Sequence, residues 1–217
     1  MGTKDFAVNR SRPQFAFLLL LIELLSMKLP PDGKEKMPLS VHICEPMFTA
    51  DDAALVAHFG ISLLENLCGR YNVSHPLPVL GSTSSHSDST LSSDNSTTLF
   101  WMPHCPKELY ATVLESNWSA QNLSNIIVIG NSFESITSLV SETEKLRLGR
   151  IFASLKVAHV SMLPEYSDDP YIFNNTALHL FNERSEEFMS ESSEFWKVSE
   201  EERLALSSAF SSPSTPL

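Results

Sequence analysis

From Thr98 to Arg147 the chain spells strand, helix, strand, helix with almost no spacer: "TLFWMP", "KELYATVLES", "NIIVIG", "SFESITSLVSETEKLR". Short apolar runs rich in β-formers alternate with runs of helical period. Both kinds of segment bury their apolar side chains only if the helices lie on the sheet. The pattern therefore predicts α/β layering with parallel neighbouring strands.

The flanks extend the same grammar. "LSVHICEP" reads as a strand that stops at Pro46, and in "FTADDAALVAHFG" Thr49 caps a helix with Asp52 three residues on and a stop at Gly60. "ISLLEN" is a short strand. Pro13 and Gln14 look like the start of an apolar helix over residues 13–28, closed by the breaker "LPPDGKEKMP". Downstream, "KVAHVSML" is a weaker strand and "YIFNNTALHLFN" carries a short extended run. The expected fold class is α/β, with a three-layer, Rossmann-like and mainly parallel sheet.

Residues 81–97 are almost entirely Ser, Thr, Asp and Asn, too polar to offset the entropy of ordering, and are expected to form a disordered insertion. Residues 198–217 lack periodicity and are expected to be a disordered tail, which leaves one α/β domain over residues 5–197.

A net charge of −11 opposes direct binding to nucleic acid, because a polyphosphate would meet a repulsive field. Three cysteines, Cys44, Cys68 and Cys105, are an odd set without framework spacing and read as reduced thiols in an intracellular protein. The apolar run "FAFLLLLIELL" follows Lys4, Arg10 and Arg12 as a signal segment would. Asp5, Glu23 and the lack of a small-residue cleavage site argue instead for a buried helix. It is also short of the roughly 20 apolar residues a membrane span needs. Glycosylation tripeptides at Asn72, Asn95, Asn117, Asn122 and Asn174 are ordinary for a chain this rich in Ser and Asn.

Ligands of open α/β sheets bind outside the carboxyl ends of strands, which here places Glu45, His104, Cys105 and Asn131 on a candidate ligand-binding edge. Glu45 is positioned either to hold a ribose hydroxyl or to stand solvated at a loop start. His104 and Cys105 have the types of a general base and a nucleophile, yet neighbours on an extended segment point apart. Cys105-Pro106 matches a two-residue thiolate–haem pattern, and equally a buried cysteine before a helix-starting proline. Asn131 either bonds a ligand or caps the next helix. His42, Cys44, His104 and Cys105 lack the paired spacing of a zinc site, so no metal is expected. Phosphate-loop, dinucleotide, nucleophile-elbow and H-E-x-x-H signatures are all missing from the sequence.

The most specific block joins Met102 to Cys105, Leu109, Tyr110, Asn117, Trp118, Leu123, Asn125 and Ile129 to Phe133. With "RSRPQFAFLLLLIELL", "CEPMFTADDAALVAHFGISLLEN" and "IFNNTALHLFN", it resembles the sensitivity-to-red-light-reduced (SRR-like) domain family over roughly Asp5 to Trp196. The resemblance implies an intracellular regulator, cytoplasmic or nuclear, linked in plants to light signalling and the circadian clock. In animals it implies links to clock-gene expression and haem biosynthesis, and it supplies no catalytic mechanism.

Family members carry an upstream apolar strand and a glycine turn before the segment matching "DFAVNRSRPQFAF". Met1 begins almost at that point, so the expected domain lacks its first strand. Two rival functions follow from the residues. One is an enzyme using a nucleotide or S-adenosylmethionine, with Glu45 on a ribose and His104 near the reacting centre. The other is a scaffold whose acidic segment, residues 183–197, docks a basic protein partner. The cofactor is left open between a nucleotide, for the enzyme, and haem, as a separate reading on Cys105.

Overall fold

Thr49 shows how directly some of these signals work. In the computed structural model its hydroxyl accepts the Asp52 N–H, while the Asp52 carboxylate accepts the Thr49 N–H at 2.9 Å. This reciprocal cap starts a helix where the sequence predicts one. Residues 3–27, 41–43, 49–65, 69–74, 97–181 and 194–196 are described by the structure. The expected insertion at 81–97 (but for Thr97), the tail at 198–217 and the acidic segment, apart from Glu194–Trp196, lie outside these residues.

Two groups of elements pack within themselves. One draws its described residues from 1–66 and 164–174, the other from 67–77, 87–163 and 175–217.

The first group holds α1 (Thr3–Met27), β1 (His42–Ile43), α2 (Ala50–His58) and β2 (Ser62–Leu63). α1 starts ten residues earlier than its sequence predicts and keeps Pro13 inside it rather than at its first turn. Proline removes one N–H from the helical ladder there, and the helix continues past it. Phe17 meets Phe173 at 5.1 Å between ring centroids, and the Gln14 side chain donates to the Ile172 carbonyl at 2.8 Å. After Phe59, Gly60 turns at φ +71°, a conformation glycine adopts without penalty, and the chain enters β2 parallel to β1.

The second group is built on β3 (Thr98–Met102), α3 (Lys107–Ser116), α4 (Ala120–Ser124) and β4 (Ile126–Asn131). It continues through α5 (Phe133–Ser138), α6 (Glu142–Lys145), α7 (Gly149–Ser154), β5 (His159–Met162) and β6 (Thr176–Leu180). Its sheet runs β3-β4-β6-β5, with β3 and β4 parallel and β6 antiparallel to both β4 and β5. The protein is thus a mixed α/β structure. The expected mainly parallel sheet holds for β3–β4 and for β1–β2, and fails at β6. A parallel return needs a crossover, usually a helix; the connection from β5 to β6 contains none, so the strand comes back antiparallel and inserts beside β4.

The expected single helix over "SFESITSLVSETEKLR" is two pieces, α5 and α6. The hydroxyls of Thr137 and Ser138 donate to the carbonyls three residues back, competing with continuation of α5. Ser141 and Glu144 then form a new capping box that starts α6. Serine at 141 and glutamate at 144 are themselves a helix-start signal in the sequence.

The core joins Met102, Val128 and Ile126 of the sheet to Tyr110, Val113 and Leu114 of α3, Phe133 of α5 and Ile151 of α7. α3 packs on α7. Ion pairs seam α3 to the 144–150 stretch: Lys107 with Glu144 at 2.5 Å, Glu108 with Arg147 at 3.5 Å, and Glu115 with the buried Arg150. Arg150 also lies 4.7 Å from the centre of the Trp118 ring. Among the described residues, no helix is long and apolar enough to cross a membrane.

Candidate functional site

Because β3 and β4 are parallel, their carboxyl ends emerge side by side. Met102 pairs with Gly130, so the next residues of each strand, Pro103 to Cys105 and Asn131 to Ser132, share one edge. β6 enters at the same edge, with Thr176 opposite Asn131.

His104 turns at φ +57°, so the segment is a turn and not the extended run that would point His104 and Cys105 apart. Left-handed backbone is unfavourable for a non-glycine residue and needs local hydrogen bonds to hold it. Asn131 supplies them: its side-chain oxygen accepts the His104 N–H at 2.9 Å, and its amide donates to the Cys105 carbonyl at 3.3 Å. Asn131 is thus the last residue of β4 and a clasp on the turn. Of the two roles open to it in the sequence, the helix cap belongs instead to Ser132, whose hydroxyl accepts the Ser135 N–H.

Beneath the clasp, the Tyr110 hydroxyl donates to the Met102 carbonyl and accepts the Asn131 N–H at 2.9 Å. Burial pushes the Tyr110 pKa up, so the phenol stays a neutral donor. Gly130 makes room for the ring: a Cβ there would stand 2.6 Å from Tyr110 Cε1.

His179 joins β6 to α5. Its Nδ1 bonds the Val128 carbonyl at 3.2 Å and its Nε2 accepts the Phe133 N–H at 3.3 Å. These roles fix the Nδ1-protonated neutral tautomer, with Phe133 stacked on the ring at 3.8 Å. Burial lowers the His179 pKa to about 4. No sequence signal singled out His179; a histidine inside "TALHL" reads as an ordinary strand residue.

An open cleft of about 310 Å³ lies at this edge, lined by Lys107, Asn131, Ser135, Ile136, Leu139, Val140 and Asn175. Of the residues placed at the site by sequence, Asn131 lines it, and His104 and Cys105 are in the turn its side chain holds. Glu45 lies outside the described residues. Neither His104 nor Cys105 lines the cleft, so a thiolate-held haem does not fit there. Lys107 and Ser135 were not singled out by sequence, because a lysine opening an amphipathic helix reads as a solvated face.

The other motif residues hold the frame. Asn117 is fully buried, accepting the Val73 N–H at 2.8 Å and donating to the carbonyls of Tyr71 and Val113. With both amide N–H donors and its oxygen engaged, it ties residues 71–73 to the end of α3. Trp118 packs against the core with Phe195 and Trp196.

Comparison with known proteins bears on these same elements. The SRR1 domain matches residues 6–180. A mouse "SRR1-like protein" is 30% identical over 58% of this chain, and a Drosophila "SRR1-like protein" 34% identical over 41%. The Arabidopsis "Protein SENSITIVITY TO RED LIGHT REDUCED 1" is 35% identical over 39%. The matches span 39%, 30% and 32% of the mouse, Drosophila and Arabidopsis proteins. No solved structure matches the chain. With its strand-edge clasp inside the matched residues, the chain belongs to the SRR1 domain family.

Proposed function

We propose that this protein is a regulator inside the cell, in cytoplasm or nucleus, that senses a small molecule at the carboxyl edge of β3 and β4. The observation that carries this reading is the clasped turn beside a cleft: Asn131 holds the His104–Cys105 backbone and also lines the cleft, so occupancy would be felt by the exposed turn. Family membership and the name of the Arabidopsis relative support a role in signalling, and the resemblance extends it to circadian timing, light responses and haem biosynthesis. The finer fold we propose is a Rossmann-like three-layer arrangement, as one domain over residues 5–197.

The test is rescue in mouse cells lacking their SRR1-like protein, read as the rhythm of a clock-driven luciferase reporter. The wild-type chain should restore the rhythm. Asn131→Ala should fail to restore it while keeping a cooperative melt. Full rescue by that variant would overturn the assignment of the edge.

A further inference from the structure

The proposed edge says where something binds; the lining of the cleft says what. Its polar lining residues are Lys107, Ser135, Asn131 and Asn175, while Ile136, Leu139 and Val140 supply an apolar wall. No acidic residue lines it. In a chain of net charge −11, a cleft lined by a lysine and polar residues and by no acid favours an anion.

Lys107 already holds an anion. Its ammonium meets Glu144 Oε1 at 2.5 Å, and Glu144 uses its other oxygen to accept the Ser141 N–H and hydroxyl. The Lys107 hydrogen bond comes first among the causes that lower the Glu144 pKa to about 2, ahead of those from Ser141. The segment between α5 and α6 carries two of the three apolar wall residues, Leu139 and Val140, and ends at the Ser141–Glu144 cap. Leu139 is 84% exposed, a large apolar side chain left facing water beside the cleft.

We infer that the cleft binds a small carboxylate with an apolar body, its head on Lys107 and its chain on Ile136, Leu139 and Val140, and that Glu144 competes with it as an internal carboxylate. This rests on the proposed role of the strand edge. Burial of an apolar chain against Leu139 and Val140 would drive binding, and the head group would fix orientation. The Ser141 cap keeps Glu144 in place when Lys107 turns to the ligand, so exchange of one carboxylate for another leaves α6 intact.

The probe is sodium decanoate, with decanol and inorganic phosphate as controls, added to the full chain and followed by backbone amide NMR and calorimetry. Decanoate should shift the amides of Ser135, Leu139 and Val140, and decanol and phosphate should each bind at least about tenfold more weakly. Lys107→Met should weaken decanoate about tenfold, and the exposed Lys156→Met should leave it unchanged. Glu144→Gln, which preserves the cap, should bind decanoate about threefold tighter or more, because the competing charge is gone. Equal decanoate binding by wild type and Lys107→Met, both with intact melts, would overturn the inference. So would phosphate or decanol binding as well as decanoate, or weaker binding in Glu144→Gln. Absence of decanoate binding, alongside loss of reporter rescue in Asn131→Ala, would overturn the ligand class and leave the regulatory reading standing.

Discussion

The two packing units keep apolar side chains from water by different means. In the four-stranded unit Tyr110, Phe133, Leu114, Leu148 and Ile151 are all at most 1% exposed, and one contiguous core joins sheet to helices. In the unit containing α1, the strands are two residues each, and Leu20 and Leu24 of the helix are each 60% exposed. A two-stranded ladder is marginal without a larger sheet to extend it. The lesson is that order here follows the polar clasps: Asn117, Tyr110 and His179 each satisfy buried groups in the four-stranded unit, and Asn131 ties the exposed turn to the sheet edge. The α1 unit relies on surface caps and aromatic edges.

Glycine replacement gives the sharpest contrast. Gly130→Ala should cost about 3 kcal/mol, since its Cβ would press on Tyr110 and on the Met102 carbonyl at 2.9 Å, neither of which has room to move. Gly60→Ala, with nothing within 4 Å of the new Cβ, should cost only the backbone term, about 1 kcal/mol. Denaturant melts of the two variants compare them directly, and equal losses would break the comparison.

The next effect is a pH dependence. His179 is neutral in the folded chain down to about pH 4, while unfolding restores a pKa near 6.5. As pH falls from 6.5 to 4 the unfolded state takes up a proton that the folded state refuses, so stability declines over that window and levels below it. The loss should reach about 3 kcal/mol, and His179→Gln should flatten the curve. Glu144, whose pKa is lowered to about 2, instead contributes stability above its unfolded pKa that is lost as pH falls from about 4.5 to 2. The two groups therefore separate on the pH axis.

Asn117→Ala should cost about 2 kcal/mol, because it strands the Val73 N–H and two buried carbonyls. Hydrogen exchange at Val73 should accelerate with it. Smallest of all, Lys145→Ala removes an exposed pair with Glu142 and should change stability by less than about 0.5 kcal/mol. A larger change would show that the α6 surface matters more than its exposure implies.

β3, α3 and β4 were legible almost residue by residue, because prolines, caps and periodicity agree there: α3 occupies the whole of "KELYATVLES". The cap at Thr49 was legible for the same reason. The break between α5 and α6 was legible in part, through Ser141 and Glu144, yet the helical period of the run outweighed that local signal. Pro13 misled, since a proline that usually starts a helix lies within one. Of the site, the edge could be located from strand ends, and Asn131 with it. Lys107 could not, because its role depends on where Glu144 lands, 37 residues away.

The sequence by itself determined that this is an α/β chain of the SRR1 family, where β3, α3 and β4 begin and end, and that His104, Cys105 and Asn131 meet at one edge. These are properties of local period, turn chemistry and motif. Only the tertiary structure decided that β6 enters antiparallel between β4 and β5, that Asn117 and Tyr110 are struts, and that Asn131 clasps the turn. It also decided that Lys107 is held by a carboxylate beside an apolar cleft. Strand order, buried hydrogen bonds and ion pairs join residues far apart in the chain, and no local pattern encodes which distant partner a buried polar group will find.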